Sequence, residues 1–175
     1  SFPTRRSSDL RDQAAMTQCS EGPWYYQQVE LGFNYRMTEL QAALGLSQMN
    51  RLDAYVAKRH ALVKRYDEQL STFALSTPWQ HPDGYSSFHL YVVRVAEGSR
   101  RRQVFEALRA RGIGVNVHYI PVHTQPYYQA MGFAAGDFPQ AERYYAEAIS
   151  LPLYPGLSEA DQDHVISTLR ESLQP

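Results

Sequence analysis

The fifteen residues from Leu31 to Gly45 fix where a loop gives way to a helix. Thr38 suits a helix N-cap, and Gln41 stands three residues on. In such a capping box each side chain satisfies the other residue's backbone N–H. Leu40, Ala43, Leu44 and Ser47 then recur at helical spacing. Ala42, Ala43 and Gly45 are small enough to let another backbone come close. The polar trio Asn34, Tyr35 and Arg36 therefore sits on a loop anchored by the helix behind it, a place where ligands are commonly held. The same trio also suits a plain turn with surface pairing.

A second helical pattern follows at once. Leu52, Tyr55, Val56, Arg59, Leu62, Val63, Tyr66 and Leu70 mark one side of the stretch 52–70, as an amphipathic helix requires. Lys58 and Lys64 are the only lysines in the chain and fall off that side, so they read as solvated helix charges. Residues 88–95 then read as a strand. Ser99 is placed to cap a helix over 100–111, with Val104, Phe105 and Leu108 facing inward and Gly112 stopping it. Its Arg100-Arg101-Arg102 run reads as a solvated first turn. Residues 115–120 read as a second strand. Strand–helix–strand is an α/β unit whose sheet order is left open by such short segments. A short helix is expected near 125–131, and another from Pro139 to about Ile149. Residues 151–155 read as extended. Ser158 and Asp161 announce a last helix that buries Val165, Ile166, Leu169 and Leu173.

The chemistry-bearing residues after the first loop gather in Val117-His118-Tyr119-Ile120-Pro121-Val122-His123. Two histidines on a strand that runs into a proline loop lack both helical spacing and further ligands, so no metal site is expected. They suit hydrogen bonds to a polar ligand, and equally suit strand-end residues with backbone partners. Gly112-Ile113-Gly114 is a turn signal and no phosphate-binding loop. No nucleophile–base pairing emerges from spacing, and no catalytic residue is nominated.

Composition narrows the partners. A formal net charge of −1 over 175 residues predicts neither nucleic-acid nor membrane binding from bulk electrostatics. No apolar run is long enough to span a bilayer. The single cysteine, Cys19, cannot form an internal disulfide, which points to a reducing, cytoplasmic compartment. Thirteen tyrosines, with pairs at Tyr25-Tyr26, Tyr127-Tyr128 and Tyr144-Tyr145, suit a buried subunit interface better than a sugar site.

The segment from Gly22-Pro23-Trp24-Tyr25-Tyr26 to Arg51-Leu52-Asp53 resembles the DegT/DnrJ/StrS family of sugar aminotransferases. These are pyridoxal-phosphate (PLP) enzymes of the fold-type I class. Arg111-Gly112-Ile113, the 117–123 segment, Tyr127-Tyr128, Ala141-Glu142-Arg143 and Ser150-Leu151-Pro152-Leu153-Tyr154-Pro155 agree with the same family in the same order. Within the family the chain resembles the pseudaminic-acid branch. The likeness implies an α/β fold, the C-terminal small domain of a fold-type I transferase together with linking helices from the large domain. It implies a homodimer in which Asn34 reaches the PLP phosphate of the other subunit. Arg36, His118, Tyr119 and His123 would face the substrate, a UDP-linked keto sugar aminated at the expense of an amino donor such as glutamate. The lysine that holds PLP and the aspartate that faces its ring nitrogen belong to the part of the family that precedes the Asn-Tyr-Arg motif. Two alternatives stay open: a dehydratase of the same family, in which histidine replaces that lysine, and a non-catalytic dimerisation or binding module.

The resemblance divides the chain into four. Residues 1–10 resemble a translated sequencing adapter and read as a non-native tail from which no packing is expected. Residues 11–37 are a loop segment carrying the motif, 38–71 the linking helices and 72–175 the small domain.

Overall fold

The computed structural model describes residues 9–10, 19, 27–28 and 37–174. Two compact units make up the chain, residues 1–51 and 52–175. In the first, β1 (Asp9–Leu10) pairs antiparallel with β2 (Gln27–Gln28). The first ten residues thus end in a short ladder where no packing was expected. Helix α1 (Glu39–Met49) begins where its cap places it. Thr38 Oγ1 accepts from the Gln41 N–H at 3.3 Å, and the Thr38 N–H donates to Gln41 Oε1 at 2.9 Å. No residue of α1 is buried. A Cβ added at Gly45 would meet nothing within 4 Å.

The second unit opens with α2 (Leu52–Leu70), which buries Val63, Tyr66 and Leu70. Lys58 and Lys64 are exposed, and Lys64 lies 4.0 Å from Glu68. A three-stranded antiparallel sheet follows in the order β3 (Leu75–Ser76), β4 (Tyr91–Val95) and β5 (Ala148–Leu151). Tyr91, Val93 and Val95 alternate inward along β4, the period of two that a half-covered strand imposes. Facing the sheet in one core are Val104 and Leu108 of α3 (Arg101–Ala110), and Val165 and Leu169 of α6 (Glu159–Leu173).

Several boundaries differ from the sequence reading, each for a local reason. Phe88 adopts φ +47°, outside the extended region, so the strand starts at Tyr91 instead. Ser99 lies inside a 3₁₀ turn, Gly98–Arg100, and α3 starts after it without a side-chain cap. Residues 115–120 reduce to one bridge between Asn116 and Ser150. The helix from Pro139, α5 (Pro139–Glu147), stops before Ala148, where β5 begins. All four residues of β5 are buried, and such a strand carries no alternation to betray it. The order strand–helix–strand therefore yields antiparallel pairing throughout. Other signals act as read. Gly112 takes φ +76° just past α3, a conformation that suits a residue without Cβ. Pro139 opens α5, and Ser158 Oγ accepts the Asp161 N–H at 3.1 Å.

Candidate functional site

Asn34, Tyr35 and Arg36 lie outside the described residues, as does their loop up to residue 36. The 117–123 segment lies within them. Buried Ile113 and Val115 tie its approach to the core. Asn116 and Ser150 then exchange backbone hydrogen bonds, Ser150 N–H to Asn116 O at 2.8 Å and Asn116 N–H to Ser150 O at 3.3 Å. This single bridge holds the segment beside β5.

The three candidates in the segment fare differently. His118 is half-buried, with Nδ1 2.7 Å from Ser150 Oγ. Tyr119 is 69% exposed and sets its ring edge-on to that of His118, with centroids 4.6 Å apart. His123 is buried in the 3₁₀ turn Val122–Thr124, with Nε2 2.7 Å from Glu142 Oε1 and the Phe138 ring 4.9 Å away. The Gly136 N–H donates to the same carboxylate oxygen at 2.7 Å. These two bonds, that to His123 first, hold the Glu142 carboxyl below its ordinary range. His118 and Tyr119 are thus available at the surface, whereas His123 clamps the following loop to α4–α5, α4 being Pro126–Gln129. Sequence reasoning assigned no role to Ser150, Asn116 or Glu142. The first two are 34 residues apart in the chain, and only the bridge reveals the pairing.

The arginine run is less free than a solvated turn. Arg100 donates to Gln174 O at 2.8 Å, where the last carbonyls of α6 lack helical partners. Arg101 donates to Ala146 O at 3.3 Å and lies over the Tyr145 ring. Arg102 is paired with Glu106 at 2.8 Å. A shallow cleft of about 320 Å³, bounded by Ile113, Pro152, Tyr154, Leu157 and His164 among others, shares no residue with the 117–123 segment. Cys19 is exposed. Among the described residues no helix is long and apolar enough to cross a membrane, and no group of three or more potential metal ligands is found.

The sequence model of the DegT/DnrJ/EryC1/StrS aminotransferase family matches residues 7–170. The chain belongs to that family. Among its curated relatives, the spore coat polysaccharide biosynthesis protein SpsC of Bacillus subtilis is 43% identical over 158 residues, covering 87% of this chain and 41% of SpsC. GDP-perosamine synthase of Caulobacter vibrioides is 37% identical over 147 residues, covering 82% of this chain and 39% of that protein. Among solved structures, Spr1654 from Streptococcus pneumoniae in its PLP form superposes with a TM-score of 0.78 at 30% identity, covering 85% of this chain and 39% of that one. The chain therefore spans about two fifths of the length of the relatives it matches. Its α/β fold is that of the small C-terminal domain of fold-type I PLP transferases.

A PLP aminotransferase holds its cofactor through a lysine. Lys58 and Lys64 stand exposed on one surface helix, with no buried carboxylate beside them to meet a pyridinium. The described residues therefore do not supply that anchor, and no chemical step is routed through either lysine.

Proposed function

We propose that this chain is the small-domain portion of a PLP-dependent nucleotide-sugar aminotransferase. The family match over residues 7–170 carries the proposal, and the names of SpsC and GDP-perosamine synthase agree with work on polysaccharides and nucleotide sugars. The reaction moves an amino group from a donor such as glutamate to the keto carbon of a UDP-linked 4-keto sugar. The narrower reading, a UDP-4-amino-4,6-dideoxy-N-acetyl-β-L-altrosamine transaminase of pseudaminic-acid synthesis, rests on the motif order quoted above. PLP, when bound, serves as the electron sink that lets the amino group change carbons. The contributions of this chain are positional. Asn34 donates its amide to the cofactor phosphate across a homodimer, in the cytoplasm. Arg36 pairs with phosphate in the two-pronged manner a guanidinium allows. His118 and Tyr119 meet the sugar nucleotide, which their place at the surface supports. Buried His123 positions the adjoining loop. The exposed apolar side chains of α1, Leu40 at 84% and Leu44 at 63%, support a face that is covered in the dimer.

The test is a mass measurement on an enzyme of the relatives' full length that carries this chain. With glutamate and a UDP-4-keto sugar, gain of an amine on the sugar is expected. Loss of water without amine gain would identify the dehydratase alternative. Sugar binding with neither product would identify a binding module. The 175 residues by themselves are expected to give no product.

A further inference from the structure

The neighbours of His118 bear on which of its nitrogens carries the proton. Asn116 Oδ1 accepts the Val117 N–H at 2.8 Å. That bond orients the amide, so the Asn116 group turned toward His118 Nε2, 3.4 Å away, is the Nδ2 amide NH2. An amide NH2 only donates. That donor suits a bare, accepting Nε2 on the neutral ring, which puts the proton on Nδ1. There it points at Ser150 Oγ, 2.7 Å away. Ser150 is buried, at 4% exposure, in β5, and its backbone is bridged to Asn116 on both sides. The acceptor of the Nδ1–H is thus built into the sheet, while Asn116 and the Nε2 edge lie toward solvent.

We infer that Ser150 and Asn116 are positioning residues that lock His118 as its Nδ1–H tautomer and so present Nε2 as a hydrogen-bond acceptor. Such an edge takes a donor group, a hydroxyl or an ammonium, and has nothing to give a phosphate oxygen. Applied to the reading above, on which this last step rests, His118 meets a sugar hydroxyl or the amine that is transferred, and the diphosphate is left to other residues. The weak 3.4 Å contact from Asn116 is the one a ligand donor would replace.

The full chain labelled with ¹⁵N-histidine tests this without any ligand, so failure here is separate from failure of the aminotransferase reading. Long-range ¹H–¹⁵N spectra at about pH 8, above the ordinary histidine range, report the tautomer of each ring, and His118→Gln assigns the signal. The neutral ring is expected as the Nδ1–H form. Ser150→Ala should move the proton to Nε2 in at least a large fraction of molecules. Should that buried change unfold the chain, the exposed Asn116→Asp serves instead. A carboxylate can only accept, and it should draw the proton to Nε2 while the Val117 N–H bond survives. A wild-type Nε2–H ring, or a tautomer that neither variant moves, would overturn the inference. Inorganic phosphate should leave the Nε2 signal in place at constant pH. A shift to the doubly protonated ring on adding it would overturn the acceptor assignment.

Discussion

Helices α1 and α6 have equally good local credentials and opposite fates. Each opens on a hydroxyl N-cap whose oxygen takes the N–H three residues on, Thr38 from Gln41 and Ser158 from Asp161. Each carries acid in its first turn, Glu39 in α1 and Glu159 and Asp161 in α6, which the helix dipole favours. Yet α6 buries Gln162, Val165, Ile166, Thr168 and Leu169, whereas α1 buries nothing among the described residues. The leucines of α1 are as apolar as those of α6, so hydrophobicity alone does not separate them. The buried stripe of α6 packs into one core with α2, α3 and the sheet. Capping starts a helix, but tertiary contact is what stabilises it.

The largest effect that bears on this comparison is expected at Leu169, which is fully buried. Leu169→Ala should cost about 2–5 kcal/mol through lost transfer energy and the cavity left behind. Leu44→Ala on α1 should change stability by no more than about 0.5 kcal/mol. Urea unfolding of the two variants measures both, and equal losses would break the contrast. If the proposed dimer covers that face, the Leu44 substitution should become costly in the full-length protein.

A smaller loss is expected at Gln162, which ties α6 to α2. Its Nε2 donates to Leu62 O at 2.8 Å, and its Oε1 accepts from Arg65 at 3.2 Å. Gln162→Ala should cost about 1–3 kcal/mol, since it removes two hydrogen bonds that a buried amide makes. A loss within error of zero would show that water replaces the amide.

Thr38→Ala tests the local term alone. Loss of the capping box should cost about 1 kcal/mol of helix stability. It should appear as faster amide exchange confined to the first turn of α1, with the second unit unchanged.

The smallest and most localised effect should come from acid. The folded-state pKa of Glu142 is depressed by the His123 bond and the Gly136 N–H. Its contribution is therefore fully present above the unfolded value of about 4.3 and is lost as pH falls through the depressed folded value. Amide protection around 122–138, corrected for the intrinsic exchange rate, should fall as pH drops below about 4, and Glu142→Gln should flatten that dependence. An unchanged profile in the variant would show that the clamp does not depend on the charge.

Much of the fold was written into neighbouring residues. Thr38 with Gln41, Pro139, Ser158 with Asp161, and Gly112 past α3 each set a helix end through contacts within about four residues. The 52–70 periodicity marked which side of α2 is buried, and Val63, Tyr66 and Leu70 are its fully covered members. The family, too, was legible in motif order. The misplaced boundaries involve partners far along the chain. Ala148–Leu151 is a strand because Tyr91–Arg94 pairs with it on one side and Asn116 on the other. No local pattern encodes that pairing, because a strand covered on both faces reads as a plain apolar run.

The candidate site divides the same way. Sequence by itself selected the residues of the 117–123 segment as the chemistry-bearing ones. Which of them face outward was settled by Ser150 and Glu142, brought beside His118 and His123 from 32 and 19 residues away. A side chain's type is a property of its own position. Its direction, its tautomer and its charge depend on whichever atoms the folded chain brings within about 3 Å.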